Sequence, residues 1–412
     1  MKKVLILALA LNCGFGYSLK SMLKSANAQN DLVKSKNLQI LGAKKSINAV
    51  KKSYSPTVDI GAFVQYVTPR SPMRAGTVDG LYAKLNYTIC DGGAKKFTIK
   101  QKRYELLSKS LETSWFKKSL SLAIIKDYFA IKSLDSLMVA IKAKKSSLNA
   151  SYKKAKGYFK AGLIEQSDVE RLKAELEMIN YNISSLKLQR ATLLSSLSLK
   201  VGKKIKHIGN SHFVKKRVKF SINDEAKAIL AKSKAVSSSA NVIKSANKPK
   251  VNVGVEYNIY GYERYDATHP KGVDSQAKFT LNANMRVLDG GVTKEKAQIT
   301  KLQAASIALE AKHKIKEQKS NFKIAKLRIS TIKNKIKSAK ASLKAAKKFY
   351  VDTEKKYRAG FIDNSLYLDA LSQKTEALAN YKRALNDLEV AYGLYYYFGG
   401  KDLKGYVKWE DF

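Results

Sequence analysis

The 412-residue chain carries 78 Lys and Arg against 33 Asp and Glu, a formal net charge of +45. The basic residues are spread along most of the chain and form no single tract, which points to a long solvated helical surface and away from a discrete nucleic-acid patch. Two cysteines and four histidines leave little with which to build a disulfide framework or a metal relay.

Residues 1–18 read as a signal peptide. Lys2 and Lys3 precede the apolar run VLILALAL (4–11), and small residues follow around Gly14, Gly16 and Ser18, with cleavage expected after Gly16 or Ser18. The run is too short to cross a bilayer as a helix. Cys13 raises lipidation, but Asn12 before it is a poor lipobox residue. A chain exported from the cytosol has no nucleic acid to bind, and Cys90 alone then remains, so no intrachain disulfide is expected.

The next stretch, 19–202, reads as one structural repeat. A helix over 19–53 leads into a β-hairpin at 57–90. Its apolar positions alternate as Val58, Ile60, Ala62, Val64 and Tyr66, then as Leu81, Ala83, Leu85, Tyr87 and Ile89, around a polar loop at 68–79. The motif DGG (91–93) opens a long Pro-free helix running to Gly162, with a seam at Leu134, Leu137, Ile141, Leu148, Tyr152, Ala155 and Phe159 that Lys145 interrupts. KAGLIEQS (160–167) turns the chain into a return helix over 164–200, and the irregular basic stretch 203–222 reads as a linker.

The same order recurs over 223–400. A helix at 224–247 precedes a hairpin at 250–288, with Val251, Val253, Val255, Tyr257 and Ile259 alternating, then Ala277, Phe279, Leu281, Ala283, Met285 and Val287. DGG returns at 289–291. A second long helix carries the seam Phe322, Ala325, Ile329, Ile332, Ile336, Ala339, Leu343, Ala346, Tyr350, Thr353 and Tyr357, with the period of 3.5 residues typical of coiled coils. RAGFIDNS (358–365) turns into a helix over 363–398, whose closing Tyr395, Tyr396, Tyr397 and Phe398 read as packing at a helix junction, and 401–412 forms the tail. At 1.5 Å per residue each long helix would reach roughly 95–100 Å. Asp91 and Asp289, Gly162 and Gly360, and Gly202 and Gly400 share one offset (289 − 91 = 360 − 162 = 400 − 202 = 198), which argues for an internal duplication under a length constraint.

Strands of about ten residues with one apolar and one wet face match outer-membrane barrel strands. Two soluble hairpins on a core would give the same alternation. Four strands cannot close a barrel, and in lipid every strand edge needs a partner. A membrane reading therefore requires several chains.

On DGG at 91–93 and 289–291, YFKAGLIEQSDV (158–169) and KYRAGFIDNSLYLDA (356–370), in fixed order and at one offset, the sequence resembles the TolC-type outer-membrane efflux channels. The resemblance implies a mainly α fold with a small membrane β part: a long α-helical coiled-coil barrel, plus four strands per chain that complete a 12-stranded barrel in a homotrimer. It implies a cell outer-membrane location with a periplasmic extension. It also implies a periplasmic adaptor (membrane fusion) protein, and an inner-membrane pump of resistance-nodulation-division or ABC type. The turns around Ala161, Gly162 and Leu163, and around Ala359, Gly360 and Phe361, would then be the tips on which the adaptor docks. Asp168 and Asp369 match the family's periplasmic gate aspartates, although Leu366 replaces the principal one in the second repeat. On this reading Asn252, Glu256, Asn258, Lys278, Asn282 and Arg286 line the barrel lumen, while Val253, Val255, Phe279 and Leu281 face outer-membrane lipid.

No enzyme is expected. His207, His212, His269 and His313 include no i,i+4 pair on a helix, no Walker loop or GxSxG occurs, and no cofactor is implied. The alternatives are a basic coiled-coil nucleic-acid-binding protein and a secreted structural protein. Both leave the paired strands unexplained.

Overall fold

The computed structural model describes residues 17–66, 68, 77–262 and 273–409. The signal-peptide reading falls largely on 1–16, outside the described residues, as do His269 and most of both hairpin loops. Tyr17 and Ser18 are inside: Tyr17 donates its N–H to His207 O (3.1 Å), and Ser18 caps the first helix.

That helix, α1 (Leu19–Gln29), is followed by α2 (Asp31–Lys52), where the sequence suggested one helix. The chain then forms strands β1 (Thr57–Tyr66) and β2 (Thr77–Asp91), long helix α3 (Ala94–Lys160) and return helix α4 (Gln166–Val201). The break between α1 and α2 has a cause distant in sequence. Buried Asn30 accepts the N–H of Val33 on Oδ1, and donates from Nδ2 to Lys200 O (3.0 Å) and Leu199 O (3.4 Å) at the end of α4. Gly202, at φ +72°, lets the backbones meet, since a Cβ there would lie 2.7–2.9 Å from Gln29 and Asn30 backbone atoms. The end of α4 thus abuts the α1–α2 junction.

After α4 come a short strand β3 (Ser211–Phe213), helix α5 (Asp224–Lys244), strands β4 (Lys250–Tyr262) and β5 (Ser275–Asn284), long helix α6 (Val292–Arg358), return helix α7 (Asn364–Phe398) and a short strand β6 (Val407–Trp409). The duplication is visible element by element. α3 and α6 are each 67 residues long, with starts and ends 198 apart (292 − 94 = 358 − 160). The positive-φ glycines of the described residues form pairs at the same offset: Gly92 with Gly290, Gly93 with Gly291, Gly162 with Gly360, and Gly202 with Gly400.

Two compact units emerge, and each draws on both repeats. One holds the sheet, from residues 38–112 and 225–313; the other is built from 17–37, 113–224 and 314–409. In the sheet the order is β1-β2-β4-β5, antiparallel throughout, so the two hairpins are joined edge to edge by β2 and β4. β2 carries an irregularity between Thr88 and Cys90. β5 ends at Asn284, earlier than the alternation to Val287 suggested. Its last partner is Lys250, the first residue of β4, and no further β4 residue remains to pair.

The second unit packs the linker and tail into its main core. β3 pairs with β6, with Phe213 and Val407 buried. The expected aromatic junction at 395–398 makes this possible: Tyr396 Oη accepts from Lys216 N–H (2.9 Å) and donates to Val214 O, and Tyr395 Oη accepts from Val218 N–H (3.0 Å). Tyr395 stacks on Phe322 (5.1 Å) and Tyr396 on Tyr406 (4.1 Å). The stretch read as linker is therefore a core component. Burying those tyrosines also pushes the Tyr396 hydroxyl up to about 12. A second cluster in the same unit packs Leu148, Ala155, Leu172, Leu176, Tyr350 and Leu371 near the helix reversals, using the seam residues. Phe159, placed on the seam by its spacing, is 41 % exposed instead, because the helix ends one residue later and offers no further turn to pack against.

Candidate functional site: an amphipathic sheet and two helix reversals

Strand alternation sends successive side chains to opposite faces, and the observed register aligns those faces across all four strands. One polar row runs Asp59–Lys84–Glu256–Lys278, alternating in charge between each pair of neighbours. Opposite charges directly across a sheet contribute about 0.2–1 kcal/mol per pair. The adjoining row contains Asn258, buried between Tyr82 and Gln276, and another joins Thr88 to Asn252 and Asn282, where Thr88 Oγ1 donates to Asn252 Oδ1 (2.8 Å). Asn252, Glu256, Asn258, Lys278 and Asn282 thus share one face, and Arg286 lies past the end of β5. Aromatic rings cover two glycines on this face: the Tyr82 ring comes within 2.6–2.7 Å of the space a Cβ on Gly61 would fill, and the Phe63 ring within 3.0 Å of that on Gly80.

The other face is apolar and open. Ile60 is 82 % exposed, Val64 76 %, Phe279 70 % and Leu281 60 %. Leu81, Val255 and Ile259 lie exposed among them, and Val253 shares the face in part. Exposed apolar area this continuous marks a surface meant for another apolar phase or partner. No helix among the described residues is long and apolar enough to cross a membrane.

The DGG motifs turn strand into helix. Asp91 accepts the N–H of Gly93 (2.9 Å) and of Lys95; Asp289 accepts those of Gly291 (3.0 Å) and Thr293 (3.0 Å). Each aspartate therefore satisfies donors that the first helical turn leaves orphaned, and both following glycines adopt positive φ. Asn247 Nδ2 also donates to Asp289 (3.0 Å), and these bonds, with Thr293, hold its carboxyl well below the usual carboxylate range. In the first repeat Tyr54 plays the part of Asn247: burial and the Asp91 carboxylate push its hydroxyl up to about 12. The sequence flagged DGG as a recurrent mark without its capping role.

At the far ends of the long helices the two reversals share one geometry. Leu163 N–H bonds Tyr158 O (2.9 Å) and Gly162 N–H bonds Phe159 O (3.0 Å); Phe361 N–H bonds Lys356 O (2.9 Å) and Gly360 N–H bonds Tyr357 O (3.2 Å). These are Schellman caps, in which the left-handed residue is glycine. Around both glycines a Cβ would meet open space. Ala161 and Ala359 are exposed at the turns, and Leu163 and Phe361 stand out at 70 % and 82 % exposure. Asp168 lies half-buried in the first turn of α4, while Asp369 is exposed on α7 and accepts from Gln373 Nε2 (2.8 Å). They are not repeat equivalents, since 168 + 198 gives Leu366.

No family model matches the chain, and no curated protein matches it in sequence. Its fold does match solved structures. The Campylobacter jejuni CmeC outer membrane channel is 16 % identical, with a TM-score of 0.80 over 95 % of this chain and 87 % of that one. The fold is that of the TolC-type outer-membrane efflux channels. The outer membrane protein VceC of Vibrio cholerae matches at TM-score 0.78 and 11 % identity, over 93 % of this chain and 96 % of that one. The Neisseria gonorrhoeae MtrE outer membrane channel, in its open state, matches at 0.79 and 12 %, over 93 % and 89 %.

Proposed function

We propose that this chain is the outer-membrane exit duct of a tripartite export system, working as a homotrimer and as a passive conduit, not an enzyme. The observation that carries this is the sheet: one face apolar and exposed except for Asp79 near the hairpin end, the other polar, with its outer strands β1 and β5 open-edged within the chain. In lipid open edges must be paired, and three copies of four strands supply a closed twelve-stranded ring with an apolar outside. The fold shared with the channels above supports the same reading.

On this reading the polar face, with Asn252, Glu256, Asn258, Lys278 and Asn282, lines a water-filled lumen, and Arg286 stands at its rim. The turns with Ala161, Gly162, Leu163, Ala359, Gly360 and Phe361 receive a periplasmic adaptor protein, which links the duct to an inner-membrane pump. Their exposed apolar side chains and uncrowded glycines favour contact with a partner helix. Asp168 and Asp369 contribute negative charge near the tip, where opening controls passage. The test is oligomeric mass in detergent followed by single-channel recording in a planar bilayer. Trimers with stable conductance are expected; a monomer without conductance would sink the proposal.

A further inference from the structure

The two hairpins repeat in register as well as in sequence. Adding 193 to each β1 residue and 198 to each β2 residue converts every β1–β2 pair into a β4–β5 pair: Thr57↔Asn86 becomes Lys250↔Asn284, and Tyr66↔Thr77 becomes Ile259↔Ser275. The first offset also carries Tyr54 onto Asn247, the two residues that bond the capping aspartates, and Pro56 onto Pro249.

One pairing has no image within the chain. β2 pairs on its far side with β4, and the same operation carries β2 onto β5 and β4 onto a β1 strand that must belong to another copy. The chain shows where that partner is wanted. Residues 285–288 run on past β5 without a strand partner, with Met285, Val287 and Leu288 at 54 %, 82 % and 87 % exposure. Of their counterparts, Tyr87, Thr88 and Cys90 are paired to β4, and Ile89 sits at the irregularity between Thr88 and Cys90.

We propose that residues 279–289 form the seam between copies, antiparallel to residues 57–66 of a second copy, with Met285 opposite Ile60 of the partner subunit and Arg286 opposite the partner subunit's Asp59. This rests on the proposed channel reading and gives its assembly a register. Two observations support that register. Every pair it creates matches apolar with apolar face and polar with polar face, which a slip by one residue would invert. The Arg286–Asp59 pair is also the image of Thr88–Asn252, a hydrogen bond across the internal seam (2.8 Å). Both members of that neutral pair have changed, and to opposite charges. A double change of this kind fits residues that face each other, and gives the seam a direct charged cross-strand pair.

The test is site-directed cross-linking in the full chain with Cys90→Ser. Ile60→Cys with Met285→Cys should oxidise to a ladder of covalent dimers and trimers on a non-reducing gel. Ile60→Cys with Leu281→Cys, on the same face but four residues away, should stay monomeric on the gel. Conducting trimers that cross-link through 281, or through neither pair, would overturn the register and leave the channel reading standing. Monomers without conductance would overturn both. A second arm tests the charged pair: Arg286→Glu, which sets a carboxylate opposite the partner subunit's Asp59 and leaves the internal Asp59–Lys84 pair in place, should lower the temperature at which the detergent-resistant oligomer dissociates, and Arg286→Lys should keep it. An unmoved dissociation temperature for Arg286→Glu would also overturn the seam.

Discussion

Gly162 and Gly202 end successive helices with nearly the same left-handed backbone, φ +73° and +72°, yet their surroundings differ. A methyl group on Gly162 enters open space, whereas one on Gly202 lies 2.7 Å from Gln29 C and 2.8 Å from Asn30 N. Gly162→Ala should therefore add backbone strain alone, about 1–2 kcal/mol. Gly202→Ala should add the same strain and also force apart the joint that Asn30 ties. Thermal unfolding followed by circular dichroism checks this: the second variant should melt clearly lower than the first, and equal shifts would mean the joint has slack. Both glycines were legible in the sequence, because each recurs at one offset. Which of them is crowded was not, since Gly202 and Gln29 are distant in sequence and no local pattern links them. Asn30 was missed for the same reason: its cap and its two bonds to α4 look, in sequence, like one polar residue within a helix.

At the scale of elements, the two long helices, the hairpin positions and the strand faces followed from sequence patterns, because the 3.5-residue and two-residue periods are local properties, whereas the α1–α2 break and the early end of β5 did not. Neighbours did not. Alternation assigns a strand its faces and says nothing of which strand lies beside it, so the β2–β4 junction emerged only from the structure. Nor did composition show that the basic stretch before α5 is held in a core by Tyr395 and Tyr396, since its core residues Ile205, Phe213, Val218 and Phe220 are scattered among lysines with no regular period. The helix reversals were read well, and their exposed side chains now permit a separation of folding from docking. Leu163 and Phe361 are 70 % and 82 % exposed, so Leu163→Glu with Phe361→Glu should shift stability by only about 0.5 kcal/mol each. Conductance in a bilayer should persist while export in cells falls, measured as sensitivity of the host to an exported toxic compound. Undiminished export would remove these turns from the docking surface.

At the scale of the whole molecule, charge and lumen need to be considered together. The chain carries +45, yet the polar row of the sheet, Asp59, Lys84, Glu256 and Lys278, sums to zero (−1 + 1 − 1 + 1). If that face lines the lumen, the strand segment of the duct is electrically balanced, and any preference for anions arises in the strongly basic remainder. Lys84→Glu with Lys278→Glu changes the row from zero to −4 per chain, or −12 across three copies. In a confined aqueous pore such a ring raises the local cation concentration, so the reversal potential in a potassium chloride gradient should move toward the potassium equilibrium value. A face turned to lipid would respond differently, because charge set into the hydrocarbon destabilises a barrel strand, and the variant would fail to assemble. Intact trimers with an unmoved reversal potential would place the row away from the conducting path, and loss of the trimer would reverse the assignment of the sheet's two faces.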